Sequence, residues 1–211
     1  MTSGESGQYI VIEGQDGTGK TTQLNLLADH FRKQNREVVI INEGAETDSG
    51  LPATDQINTI LHDKSLNLDP MTNVLLFTAQ RRELWMKVAE PTLKRGGVVL
   101  SARNWLSTLA YQHFGSNVER ELIERITTDT MPERYVHSDL TVILVLSDDE
   151  RVARTKKRND KSPKDAFEGQ NNDFQARVNH GYEQIAKDLK LPMIDAAGDT
   201  NQVFDSIAHY I

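Results

Sequence analysis

The chain has 211 residues, 37% hydrophobic and 26% charged, and a formal net charge of −7 at pH 7, a composition that suits one globular domain with a substantial core. The acidic balance argues against non-specific nucleic-acid binding, which recruits basic surfaces. The lack of Cys excludes disulfides, thiolate catalysis and Cys-ligated zinc, and no run approaches the roughly 18 apolar residues of a membrane span.

Residues 1–7 are small and polar, without the basic and apolar regions of a secretory leader. They are expected to form a flexible tail ahead of a single domain, 8–211, in the cytoplasm. Tyr9-Ile10-Val11-Ile12 is a short β-branched run suited to a buried strand. Next comes Gly14-Gln15-Asp16-Gly17-Thr18-Gly19-Lys20-Thr21, which satisfies G-x-x-x-x-G-K-[ST]. Leu24, Leu27, Ala28 and Phe31 then recur at helical spacing, giving a helix from Thr21 to about Gln34. Strand, glycine loop and helix together form a phosphate cradle: the glycines permit tight folding, and N–H groups at the helix start point at phosphate oxygens. Gly14, Gln15, Asp16, Gly17, Thr18, Gly19, Lys20, Thr21 and Thr22 are therefore the residues expected to bind a nucleoside triphosphate. Lys20 is expected to reach the β- and γ-phosphates, and the Thr21 hydroxyl to hold Mg²⁺.

Further along, Glu37 to Ile41 reads as a second strand buried on both faces, followed by an acidic loop over 42–50 at its C-terminal end, the ligand edge of a parallel sheet. A helix is expected from Pro52. A long one runs from Asp69-Pro70 through Phe77, Leu84, Trp85 and Val88, with Pro91 kinking it or lying in its last segment. Val98 to Leu100 is a third strand, with helices near 105–114 and 118–130. Leu140 to Leu146 is a fourth strand, and Asp148-Asp149-Glu150 opens a helix with acid in its first turn. The basic stretch 151–164 puts Arg151, Arg154 and Arg158 on one helical face. A helix carrying Phe174, Val178, Tyr182, Ile185 and Leu189, a short strand over 192–194 and a helix over 203–211 complete the chain. The alternation predicts a three-layer α/β P-loop fold: a five-stranded parallel sheet with helices on both faces. No N-K-x-D guanine motif is present.

Several stretches together resemble the thymidylate kinase family. Ile12 to Gln23 looks like its opening, and Leu75-Leu76-Phe77-Thr78-Ala79-Gln80-Arg81 resembles its L-L-F-x-A-x-R helix. Ala102-Arg103-Asn104-Trp105-Leu106-Ser107-Thr108-Leu109-Ala110-Tyr111-Gln112 is similar to its D-R-[YH]-x-x-S-x-x-A-Y-Q segment. Asp165-Ala166-Phe167-Glu168 with Phe174, Arg177 and Tyr182 falls on its lid-and-helix pattern. The resemblance implies Mg²⁺-assisted phosphorylation of dTMP by ATP, and a homodimer. It implies that Asp16 meets the acceptor sugar hydroxyl, that Phe77 stacks on thymine, and that Arg81 bonds a base carbonyl. Arg103 would pair with the acceptor phosphate or the transferring group, with Ser107, Thr108, Tyr111 and Gln112 behind it. The basic stretch becomes a lid near 151–168 that closes on the phosphates, with Arg154 or Arg158 as an arginine finger.

The chain departs from the family at Asn42, where the R-E-P loop has its arginine, at Ala102, the aspartate of D-R-[YH], and at Ala166, the lid arginine. Glu43 is then expected to hold the metal directly or through water, and Arg158 to cover the lid. Two alternatives stay open: a kinase for another nucleoside monophosphate, and a nucleotide-binding protein without transfer activity.

Overall fold

In the computed structural model, residues 6–43, 50–159 and 171–211 are described, with only the backbone of 158 and 159. β1 (Gln8–Glu13) lies at the centre of the sheet. Tyr9 and Val11 face one side, Ile10 and Ile12 the other, because successive strand residues alternate. β2 (Val38–Asn42), β3 (Val98–Ala102), β4 (Leu140–Val145) and β5 (Met193–Asp195) complete a five-stranded sheet in the order β2-β3-β1-β4-β5. All pairings are parallel; β1 sits between β3, with Ile12 opposite Ala102, and β4, with Ile12 opposite Val142.

On the face of Ile10 and Ile12, α1 (Lys20–Lys33) and α10 (Thr200–Ala208) supply Leu24, Leu27, Phe31, Val203 and Ile207. On the opposite face α3 (Pro70–Leu84), α6 (Arg120–Thr130) and α9 (Asn172–Leu189) contribute Val74, Ile123, Val178 and Tyr182. Each fully buried Leu or Ile contributes about 1.5–3 kcal/mol relative to exposure. The remaining helices are α2 (Pro52–His62), α4 (Glu90–Lys94), α5 (Trp105–Thr108), α7 (Glu133–Val136) and α8 (Asp148–Asn159).

Three elements differ from the sequence expectation. β2 is only half-buried over most of its length, because it is the edge strand and its outer side has no strand neighbour. The long helix after Pro70 widens into a π turn over Trp85–Ala89 before α4. Pro91 has no N–H and its ring crowds the carbonyl one turn earlier, and the wider turn accommodates both. A second π turn, Leu109–Phe114, follows α5 where a plain helix was expected. It carries Tyr111 and Gln112, both buried. Gly7, placed in the tail by the sequence, is buried against the Leu93 backbone.

Candidate active site

The phosphate loop leaves β1 at its C-terminal end, between the ends of β3 and β4, the edge where parallel sheets bind ligands. Gly14 has φ +136, and a Cβ there would lie 2.4 Å from the Leu144 carbonyl oxygen. Only glycine lets the loop run this close to β4. Gly17 has φ +89 and meets α8 instead: a Cβ would lie 2.9 Å from Thr155 Oγ1 and 3.3 Å from the Arg151 carbonyl oxygen. The loop closes on itself through Thr18 Oγ1, which donates to the Gln15 carbonyl at 2.9 Å. Gln15 Nε2 ties it to α9 by donating to the Gln175 carbonyl at 2.8 Å. Lys20 is buried, and its Nζ donates to the carbonyls of Gly14 and Gln15, both at 2.9 Å.

α1 begins at Gly19 with no side-chain cap and no acidic residue in its first turn. Its N-terminal N–H groups and positive dipole end therefore suit an anion. Thr21 and Thr22 are exposed on that first turn. An exposed hydroxyl oxygen beside an anion-binding loop is a suitable hard donor for Mg²⁺, which keeps several waters and phosphate oxygens in its shell.

Arg103 joins this loop to the far wall of the site. It lies just past β3 with φ 75, a left-handed conformation costly for a residue with a side chain. Its Nη1 donates to the Gly14 carbonyl at 3.0 Å, to Tyr182 Oη at 3.0 Å and to Ser107 Oγ at 3.3 Å. Its Nη2 donates to Asp16 Oδ1 at 2.7 Å and reaches Tyr111 Oη at 3.4 Å. Burial opposes the charge, but Tyr111, Asp16, Tyr182 and Glu13 outweigh it and hold the guanidinium protonated.

Beneath this contact lies Glu13, fully buried at the end of β1. Its Oε1 accepts from the backbone of Asn104 at 2.7 Å and of Ser107 at 3.2 Å, at the start of α5. Its Oε2 accepts from Ser107 Oγ at 2.7 Å and Tyr182 Oη at 3.0 Å. Burial and then Glu13 push the Tyr182 phenol well up, so it stays a neutral donor. A carboxylate that receives the orphan N–H groups of a helix start fixes that helix. Glu13 thereby sets the segment that carries Arg103, Ser107 and Thr108.

A second buried cluster lies farther from the loop. Arg81, on α3, has its guanidinium carbon 5.2 Å from the centre of the Phe77 ring. Arg81 Nε donates to Glu43 Oε2 at 2.8 Å, Arg81 Nη1 donates to Thr108 Oγ1, and Tyr135 Oη donates to Glu43 Oε2 at 3.2 Å. Burial, only partly offset by Arg81, raises the Glu43 carboxyl to about 7. Burial opposes the Arg81 charge, while Tyr135 and Glu43 more than restore it.

A family model described as thymidylate kinase matches residues 12–207. The chain belongs to the thymidylate kinase family. The thymidylate kinase of Caldicellulosiruptor saccharolyticus is 32% identical over 208 residues, covering 97% of this chain and 96% of that one. That of Trichlorobacter lovleyi is 32% identical over 206 residues, covering 95% and 94%. A crystal structure of thymidylate kinase from Ehrlichia chaffeensis superposes with a TM-score of 0.75 at 26% identity, covering 97% of this chain and 98% of that one. The three-layer P-loop fold expected from the sequence is the fold of this thymidylate kinase-family chain.

The residues picked out by sequence fall into two groups. Asp16, Lys20, Arg103 and Tyr111 meet at the loop, with Asp16 Oδ1 3.8 Å from Lys20 Nζ. Phe77, Arg81 and Thr108 meet at the second cluster. Gln112 is buried on the π turn between α5 and α6. Glu43, expected beside the metal, is instead committed to Arg81 and Tyr135, because a carboxylate this buried needs a paired cation and a donor. Arg154, expected near the phosphates, donates through Nη2 to the Ala196 carbonyl at 2.9 Å, just past β5. It is Arg151 and Thr155 of α8 that lie against Gly17. The Arg158 side chain and Ala166 lie outside the described residues. Sequence reasoning gave no role to Glu13, Tyr135 or Thr155; the one available signal was a glutamate closing an otherwise apolar strand.

Proposed function

We propose that this protein transfers the terminal phosphoryl group of ATP to the phosphate oxygen of dTMP, releasing ADP and dTDP. Family membership supports the reaction. The observation that carries the residue assignments is Arg103, whose guanidinium reaches Gly14 and Asp16 on the loop and Ser107 and Tyr111 on the opposite wall. A fixed cation between donor and acceptor sites suits charge that moves between them, and positioning plus neutralisation is what phosphoryl transfer requires.

In this reading Lys20 and the uncapped start of α1 bind the ATP phosphates, within the cradle from Gly14 to Thr22. The Thr21 hydroxyl would hold Mg²⁺, which when bound neutralises β- and γ-phosphate charge. Asp16 receives the acceptor sugar hydroxyl. Phe77 stacks on the base, Arg81 donates to a base carbonyl, and Thr108, Tyr111 and Gln112 complete the acceptor wall. Residues 151–168 act as a lid whose closure excludes water, so that transfer outcompetes hydrolysis. Arg158 is its arginine finger. Exposed Ile60 and Leu75, on α2 and α3, and Met86 on the following π turn support a homodimer. The substrates themselves favour the cytoplasm, and the charge of −7 favours neither nucleic acid nor anionic membrane as partner.

The test is ADP release measured with dTMP, dUMP, dCMP, dGMP and AMP as acceptors, with Mg²⁺ and ATP. Turnover with dTMP well above the others is expected. Activity confined to a purine acceptor, or ATP binding with no acceptor-dependent turnover, would overturn the reading.

A further inference from the structure

The Arg81 guanidinium is held from two sides, and both holds come from outside its own helix. Its Nε is fixed by Glu43, which follows edge strand β2, and its Nη1 by Thr108 of α5. The Phe77 ring lies on one face of the guanidinium. Among the described residues nothing accepts from Nη2. Arg81 is 4% exposed and Glu43 3%, so neither is a solvated surface charge that found a partner by chance. Tyr135 supplies a second donor to the same Glu43 oxygen, at 3.2 Å, and burial keeps that phenol neutral.

We propose that Glu43 is a positioning residue for the acceptor base: it fixes Arg81 so that Nη2 is left to donate to a ring carbonyl on a pyrimidine stacked against Phe77. This rests on the dTMP kinase reading above. A guanidinium only donates, so the fixed Nη2 favours a 4-keto over a 4-amino pyrimidine. Without Glu43 the long side chain must be ordered when the base binds, and ordering costs affinity. The effect falls on acceptor binding and base choice, because neither Glu43 nor Arg81 contacts the phosphates in this arrangement. A metal ligand at position 43 predicts a different phenotype.

Calorimetric dTMP binding and steady-state kinetics at about pH 8, where the carboxyl is ionised, separate the two. Glu43→Ala is expected to raise the Kd and KM for dTMP about ten-fold, with kcat within about two-fold. The ATP KM and the Mg²⁺ half-saturation should not move, and the preference for dTMP over dCMP should narrow. Glu43→Gln keeps an oxygen for Nε and should rescue dTMP binding to within about three-fold. In an Arg81→Met background Glu43→Ala should add nothing, since the two act as one unit. The proposal is overturned by unchanged dTMP affinity in Glu43→Ala, by an equal loss with or without Arg81, or by a shifted Mg²⁺ half-saturation with dTMP affinity untouched. If Glu43→Ala does not fold, Glu43→Asp replaces it; its shorter carboxylate should weaken dTMP as alanine does, and wild-type affinity there overturns the proposal equally. Calorimetry needs no turnover, so dTMP binding without ADP formation would count against the transfer reading alone.

Discussion

At the scale of single residues, the site is built from buried charges whose partners come from distant parts of the chain. Glu43 and Arg81 are 38 positions apart, and Asp16 and Arg103 are 87 apart. Glu43 is faced by Arg81 from α3, by Tyr135 from α7, and by Glu13 and Tyr9 from β1. Its carboxyl is raised from 4.5 to about 7. Between those values the folded protein holds a proton that the unfolded chain has lost. Glu43 therefore withdraws stability as the pH climbs from 4.5 towards 7 and withdraws no more above it. At about 1.4 kcal/mol per pKa unit the full effect is on the order of 3 kcal/mol. Glu43→Gln has no such proton. Denaturant midpoints of both proteins from about pH 5 to 7.5 should therefore diverge, the wild type losing stability relative to the variant as pH rises. Parallel curves would mean that Glu43 titrates near its ordinary value.

At the scale of elements, the parts legible in the sequence were those set by local pattern. The loop motif, the apolar run before it and the helix after it gave β1, the cradle and α1 with nearly their observed bounds. The half-buried state of β2 was not legible, since an apolar run does not say which strand will lie at the edge. The π turns were not legible either, since hydrophobic spacing registers a helix without its local widening. The pairing of Glu43 with Arg81 was not legible, since it joins side chains 38 positions apart, one just past β2 and the other on α3. α8 shows the same limit: helical spacing put Arg151, Arg154 and Arg158 on one face, yet Arg151 lies against Gly17 while Arg154 donates to the carbonyl of Ala196. Removing Arg154 should therefore cost turnover little. Arg158→Ala should lower kcat by about a hundred-fold or more while the Kd for ATP changes by less than about five-fold, as loss of a transition-state cation does. Rapid-quench kinetics and nucleotide titration on both variants check this. A normal kcat in Arg158→Ala would remove the finger role from that residue.

At the scale of the whole molecule, β1 is both the central strand of the sheet and the strand that ends in the phosphate loop. Both layers of the core pack on it, Tyr9 and Val11 on one side and Ile10 and Ile12 on the other. A ligand held by the loop is thus coupled to the central strand on which both core layers pack, and binding should appear in global stability. A ligand present at about 100 times its Kd adds about 2.7 kcal/mol. For a chain of this size that raises Tm by roughly 5–10 °C. A non-hydrolysable ATP analogue with Mg²⁺ and dTMP should each produce such a shift in one cooperative transition, read by differential scanning calorimetry. In the proposed arrangement the two ligands contact opposite ends of the Arg103 bridge, so the shift with both should not be less than the larger of the two alone. A dTMP shift absent at saturating concentration, alongside a normal one for the ATP analogue, would retain the phosphate cradle and reject the acceptor site assigned to Phe77, Arg81 and Arg103.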